Sequence, residues 1–149
     1  MYRLRFIVVV MFALAVMTGC GSGSSSQQEE GGTTAMQLRI NDVPVAVEWE
    51  SNDSVKALQE LLPLTVEMHR YGGFEQVGGL GQSLPRNDTR ITTKAGDIVL
   101  YSGNQIVVFY GSNTWAYTKL GRITDKTPAQ LSDMLGNSDA VISLSVEQL

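Results

Sequence analysis

The stretch Gly96–Ile123, GDIVLYSGNQIVVFYGSNTWAYTKLGRI, constrains the fold of this chain more than any other. Two apolar runs, Ile98–Tyr101 and Gln105–Tyr110, flank Ser102-Gly103-Asn104. β-Branched and aromatic side chains pack well on a pleated surface, and Gly and Asn punctuate turns, so the pattern predicts a buried hairpin. A third strand around Lys119–Ile123 is expected after a loop at Gly111–Trp115.

The remainder of residues 36–149 extends the same pattern and reads as one folded domain. Met36–Ile40 alternates apolar and polar, Asn41-Asp42 marks a turn, and Val43, Val45, Val47 and Trp49 continue the alternation as one further strand. Glu48 and Glu50 fall on the opposite, solvated face and are read as solubilising rather than as a catalytic carboxylate pair. Ser51–Ser54 is a capping cluster, and Val55, Leu58, Leu61 and Leu62 follow at helical spacing until Pro63 stops the run. Leu64, Val66 and Met68 alternate with Thr65, Glu67 and His69 as another strand. Tyr71–Pro85 is glycine-rich, with a short strand expected at Phe74–Val77, and a loop of that length edges a site in many compact domains. Thr127-Pro128 predicts the start of a second short helix ending near Gly136, before a last strand, Ala140–Val146. About seven or eight short strands with two short helices argue for an antiparallel barrel or sandwich over a doubly wound α/β fold.

The amino terminus carries a different signal. Arg3 and Arg5 precede the apolar run Phe6–Val16, which is too short for a bilayer span of about 20 residues but has the length of a signal-peptide core. Met17-Thr18-Gly19-Cys20 resembles the lipobox of bacterial lipoproteins, with Met17 where Leu is most common. The resemblance implies cleavage after residue 19, lipid on Cys20 and a membrane as partner through that lipid. Acyl chains at about 0.8 kcal/mol per buried methylene make such an anchor durable. Residues 20–35, rich in Gly, Ser, Gln and Glu, read as a flexible tether. Cys20 is the single cysteine, so the exported domain has no disulfide and depends on its core.

Removing residues 1–19 takes two of the 11 basic residues and none of the 15 acidic ones, leaving nine against 15 and a net charge of −6. An acidic domain of this kind argues against nucleic acid as a partner. One histidine and one lipidated cysteine leave no zinc site, Gly79–Leu84 lacks the third glycine of a dinucleotide loop, and no cofactor is expected.

The domain resembles the cyclophilin-like fold family of small prokaryotic proteins. The resemblance rests on Leu61–Met68 (LLPLTVEM), the glycine-containing stretch before Leu84-Pro85, Ala95–Tyr101 (AGDIVLY) and Lys119–Ile123 (KLGRI). It implies a mainly β fold: a closed antiparallel barrel of about eight strands with two short helices. It implies no established activity for the family as a whole.

Cyclophilins proper are peptidyl-prolyl isomerases, and Met68-His69-Arg70 followed by Phe74, Gln76 and Gly78-Gly79 is similar to their segment bearing the catalytic arginine. That similarity implies Arg70 as the group polarising a prolyl amide, with Phe74 and Gln76 shaping the groove. The spacing from Arg70 to Phe74 is one residue short, the Gln-Phe-Phe strand motif is absent, and no histidine follows His69. Among the aromatics, Trp115 and Tyr117 are candidates to stack on a ligand. The expected function is a membrane-anchored extracytoplasmic binding module for a peptide or small ligand, using Arg70, Phe74, Gln76, Trp115 and Tyr117. The alternative is a divergent isomerase of exported proteins in which Arg70 is catalytic.

Overall fold

A computed structural model describes residues 35–147. The expected signal segment, Cys20 and nearly all of the tether lie outside the described residues. Within them the chain forms eleven strands and two helices: β1 (Met36–Ile40), β2 (Val43–Val45), β3 (Val47–Trp49), α1 (Asp53–Gln59), β4 (Leu64–Glu67), β5 (His69–Tyr71), β6 (Glu75–Gly79), β7 (Thr89–Thr92), β8 (Asp97–Tyr101), β9 (Gln105–Phe109), β10 (Thr114–Ile123), α2 (Pro128–Leu135) and β11 (Val141–Val146).

Every pairing is antiparallel, and the strands form two sheets. A four-stranded sheet runs β2-β1-β11-β4, and a seven-stranded one runs β3-β10-β8-β9-β6-β5, with β7 paired to β10. The expectation of a closed barrel is therefore corrected to two open sheets, and the strand count rises from about eight to eleven. The chain changes sheets at two points that sequence alternation does not mark. At Ala46 the run Val43–Trp49, expected as one strand, divides into β2 and β3. Ala46 donates to Asp125 Oδ1 at 3.0 Å and accepts from the Thr124 N–H at 2.9 Å, bonds outside either ladder. At Met68 the second expected strand divides into β4 and β5, and the Met68 N–H donates to the Ala140 carbonyl at 2.8 Å. β4 lies against β6 through close packing rather than ladder hydrogen bonds. A Cβ on Gly78 of β6 would lie 2.7 Å from the Glu67 carbonyl oxygen and 2.5 Å from Met68 Sδ, so only glycine permits the approach.

The main core lies between the sheets and helices, where Leu38, Ile40, Leu58, Ile98, Leu100, Ile106, Leu120, Leu135 and Ile142 have no exposed surface. Alternate residues of the central hairpin, Val99, Val107 and Phe109, form a second cluster with Tyr117 on the other face. β8 and β9 are thus covered on both faces, which is why their sequences are nearly continuous apolar runs. β10 makes this cover possible. Its first half, Thr114–Tyr117, pairs with β7, and its second half pairs with β8, with a bulge between Lys119 and Gly121. The strand expected to begin near Lys119 therefore begins at Thr114, inside the expected loop.

The helices follow their local signals. Asn52 caps α1 by accepting from the Val55 N–H at 2.9 Å. Thr127 and Gln130 form a reciprocal capping box on α2, with Pro128 in its first turn.

Candidate functional site

Tyr117 of the second cluster, with Val77 and Tyr101 packed against it, lines a groove of ≈ 910 Å³. Its lining comes from strands β4, β5 and β6 and from Tyr101, Asn113, Trp115 and Tyr117. A volume of about 300–1,000 Å³ is usual for a small-molecule site.

Strand β6 supplies the most unusual group. Its period of two places Glu75 and Val77 on the groove side, with Gln76 turned to the opposite face. Glu75 pairs with Tyr71 on one side and Phe109 on the other. The residue is only 6% exposed, and its Oε2 has no hydrogen-bond partner. Burial pushes its carboxyl up to about 7. Withdrawal from water penalises the ionised form, and no compensating donor opposes it.

Tyr117 lies beside it, buried, with its hydroxyl oxygen accepting from Asn113 Nδ2 at 2.8 Å. Burial is the main cause pushing the phenol up; the Asn113 hydrogen bond opposes the shift and the Glu75 charge adds to it. Its ring meets Phe109 at 5.6 Å and Tyr101 at 6.1 Å, both edge-on. At the rim, Tyr71 and Trp115 present the two most exposed large hydrophobic surfaces among the described residues, 67% and 53%. A buried carboxyl, packed tyrosine rings and two exposed aromatics thus line one groove. A smaller depression of ≈ 420 Å³ adjoins it at Gly79–Ser83 and Asn104.

The model of the Cyclophilin-like family matches residues 38–147, all but the edges of the described domain. The chain belongs to the Cyclophilin-like family. A comparison with curated proteins finds no match.

Within this cyclophilin-like domain the residues singled out from sequence separate into two groups. Trp115 and Tyr117 come together at the groove, Trp115 exposed at its rim and Tyr117 in its floor. The Arg70 side chain, also at the groove edge, is committed elsewhere: Nη1 donates to the Gly136 carbonyl at 3.2 Å, and Nε lies 3.6 Å from Asp139 Oδ1. The same carboxylate accepts from the Arg70 N–H and meets His69 Nδ1, each at 3.1 Å. These two hydrogen bonds, the Arg70 N–H first, hold the Asp139 carboxyl below its usual range.

Gln76 has no exposed surface and no part in the groove. Its Nε2 donates to the Leu135 and Ser138 carbonyls at 2.6 and 2.8 Å, and its Oε1 accepts from the Ala140 N–H at 2.9 Å. It joins the end of α2 and the approach to β11 to the sheet. Phe74 packs against the second cluster and meets Tyr71 edge-on at 6.4 Å, while its carbonyl accepts from Tyr110 and Gly111, each at 2.9 Å. The structure therefore does not gather Arg70, Phe74 and Gln76 around one pocket.

Arg122 is held by Asp97, whose Oδ1 accepts from Nε and lies near Nη2, both at 2.8 Å. Glu75, which sequence reasoning missed, has no local motif. Its burial comes from Phe109 and Tyr117, far along the chain, and only the alternation of β6 beside Val77 points toward it. Among the described residues no group of three His, Cys, Asp or Glu could hold a metal, and no helix is long and apolar enough to cross a membrane.

Proposed function

We propose that this chain is a membrane-anchored, extracytoplasmic lipoprotein whose cyclophilin-like domain binds a peptide or small ligand in the groove. The observation that carries the binding reading is the ≈ 910 Å³ groove with Tyr71 and Trp115 exposed on it. Exposed aromatics beside a concavity contribute large contact area at little conformational cost. The lipobox-like Met17–Cys20 supports the anchor.

The isomerase alternative draws no comparable support. Arg70 is ion-paired to Asp139, and Gln76 is buried on the other face of β6. The test is a fluorescence titration of the full chain with peptide and small-molecule mixtures, beside Trp115→Ala. Saturable binding weakened at least tenfold by the substitution is expected; saturable binding that the substitution leaves unchanged places the site elsewhere. Acceleration of proline isomerisation lost in Arg70→Ala would overturn the binding-only reading. Lipid labelling that persists in Cys20→Ala would overturn the anchor.

A further inference from the structure

The groove is unequal in charge. Glu75 brings a carboxyl into its floor with Oε2 unpartnered, and Glu67 adds an exposed carboxylate on the β4 wall. The basic groups at its edge, His69 and Arg70, both already face Asp139. No lysine lines the groove. The groove that Glu75 lines carries four aromatic side chains: Tyr101 and Tyr117, packed edge-on to each other, and Tyr71 and Trp115, both exposed. Ring faces carry negative electrostatic potential, so they attract the same sign of charge that a carboxylate attracts. A buried carboxylate without a partner is unfavourable, and a ligand cation is the partner that relieves it.

We propose that the groove recognises an organic cation of the alkylammonium class, seated between the Glu75 carboxylate and the rings of Tyr71, Tyr101 and Trp115. This rests on the reading of the groove as a binding site and names the ligand chemistry it takes. The ammonium N–H groups donate to the Glu75 carboxylate, its carbon chain lies on the tyrosine and tryptophan rings, and the remaining volume holds the rest of the ligand. Glu67 at the mouth attracts the cation during approach. An anion finds no free positive partner in the groove.

The experiment compares phenethylammonium with phenethyl alcohol, which replaces the charged head with a hydroxyl and keeps the ring. Binding to the full chain in micelles is followed by ligand-detected magnetic resonance, with blank micelles subtracted, at low salt and mildly alkaline pH. Phenethylammonium is expected to bind at least tenfold more tightly than the alcohol. Glu75→Gln, which keeps the shape and removes the charge, is expected to abolish that preference while leaving alcohol binding within about twofold. A circular-dichroism melt of each variant confirms the fold.

Equal binding of the two probes, or a preference that survives Glu75→Gln, overturns the cation proposal. If Trp115→Ala then weakens both probes alike, the groove remains a binding site for uncharged ligands. If neither probe binds, the cation proposal falls, and the binding reading is then decided by the titration with Trp115→Ala described above.

Discussion

Glu75 makes the stability of this domain depend on pH in a direction opposite to that of most carboxylates. Its carboxyl is moved from an ordinary 4.5 to about 7 by burial. Between those values the folded state holds the proton and the unfolded state has released it. Unfolding stability therefore falls as pH rises through this window, because the native state binds more protons there. At about 1.4 kcal/mol per pH unit, the interval corresponds to about 3 kcal/mol between acid and mildly alkaline conditions. Glu75→Gln removes the titration and leaves a neutral amide of nearly the same shape. Its burial cost does not vary with pH, so it shifts the variant's curve by a constant. The measured quantity is the difference in unfolding free energy between variant and wild type, from urea titrations at several values from about pH 4.5 to about pH 8.5. Other ionisable groups are common to both chains and cancel in that difference. The variant should gain about 3 kcal/mol relative to wild type across the range, with most of the gain between about pH 5 and pH 7. A difference that stays flat within about 0.5 kcal/mol would refute the assignment of Glu75 as a buried, unpartnered carboxyl, since experimental error is of that order.

Two further substitutions test how the groove is held in place. Gln76→Ala leaves the Leu135 and Ser138 carbonyls and the Ala140 N–H without their shared partner, and should cost about 3–5 kcal/mol in urea denaturation, because orphaned buried polar groups cost about 1–3 kcal/mol each. Gly78→Ala places a methyl carbon against Val66, Met68 and the Glu67 carbonyl. It should lower stability by about 1–3 kcal/mol, with backbone amide shifts in β4 and β6 visible by magnetic resonance.

The parts of the fold that were legible in the sequence are those fixed by neighbouring residues. The hairpin of β8 and β9 with its Ser102–Asn104 turn, the Asn41-Asp42 turn, and the caps at Asn52 and Thr127 all match local signals. Asn41, Asp42 and Ser102 adopt φ of 48°, 67° and 52°, a region where short polar side chains are most readily accepted. What was not legible depends on partners distant in sequence. An alternating run such as Val43–Trp49 looks the same whether it stays in one sheet or crosses to another at Ala46. The closure of a barrel is likewise a property of the last strand pairing, which periodicity does not encode. At the groove, Trp115 and Tyr117 stand out in the sequence because aromatics cluster along that stretch, and the structure leaves Trp115 exposed and buries Tyr117. Glu75 was missed because a lone acid between Phe74 and Gln76 looks solvated until Phe109 and Tyr117 are laid over it. The resemblance to the cyclophilin segment places Gln76 at the groove, whereas the structure turns it to the opposite face of β6, where it binds the Leu135, Ser138 and Ala140 backbone.

The placement of β11 between β1 and β4 governs when this protein can finish folding. Its register joins Met36 to Val146 on one side and Leu64 to Leu144 on the other. Until the last stretch of the chain has emerged, β1 and β4 have no strand between them, and Leu38, Ile40 and Val66 lack their cover of Ile142 and Leu144. A chain that emerges from its amino end thus carries an incomplete small sheet until residues 141–146 are free to pair. Pairings of such high sequence separation form late and slowly because the loop must close before any contact rewards it.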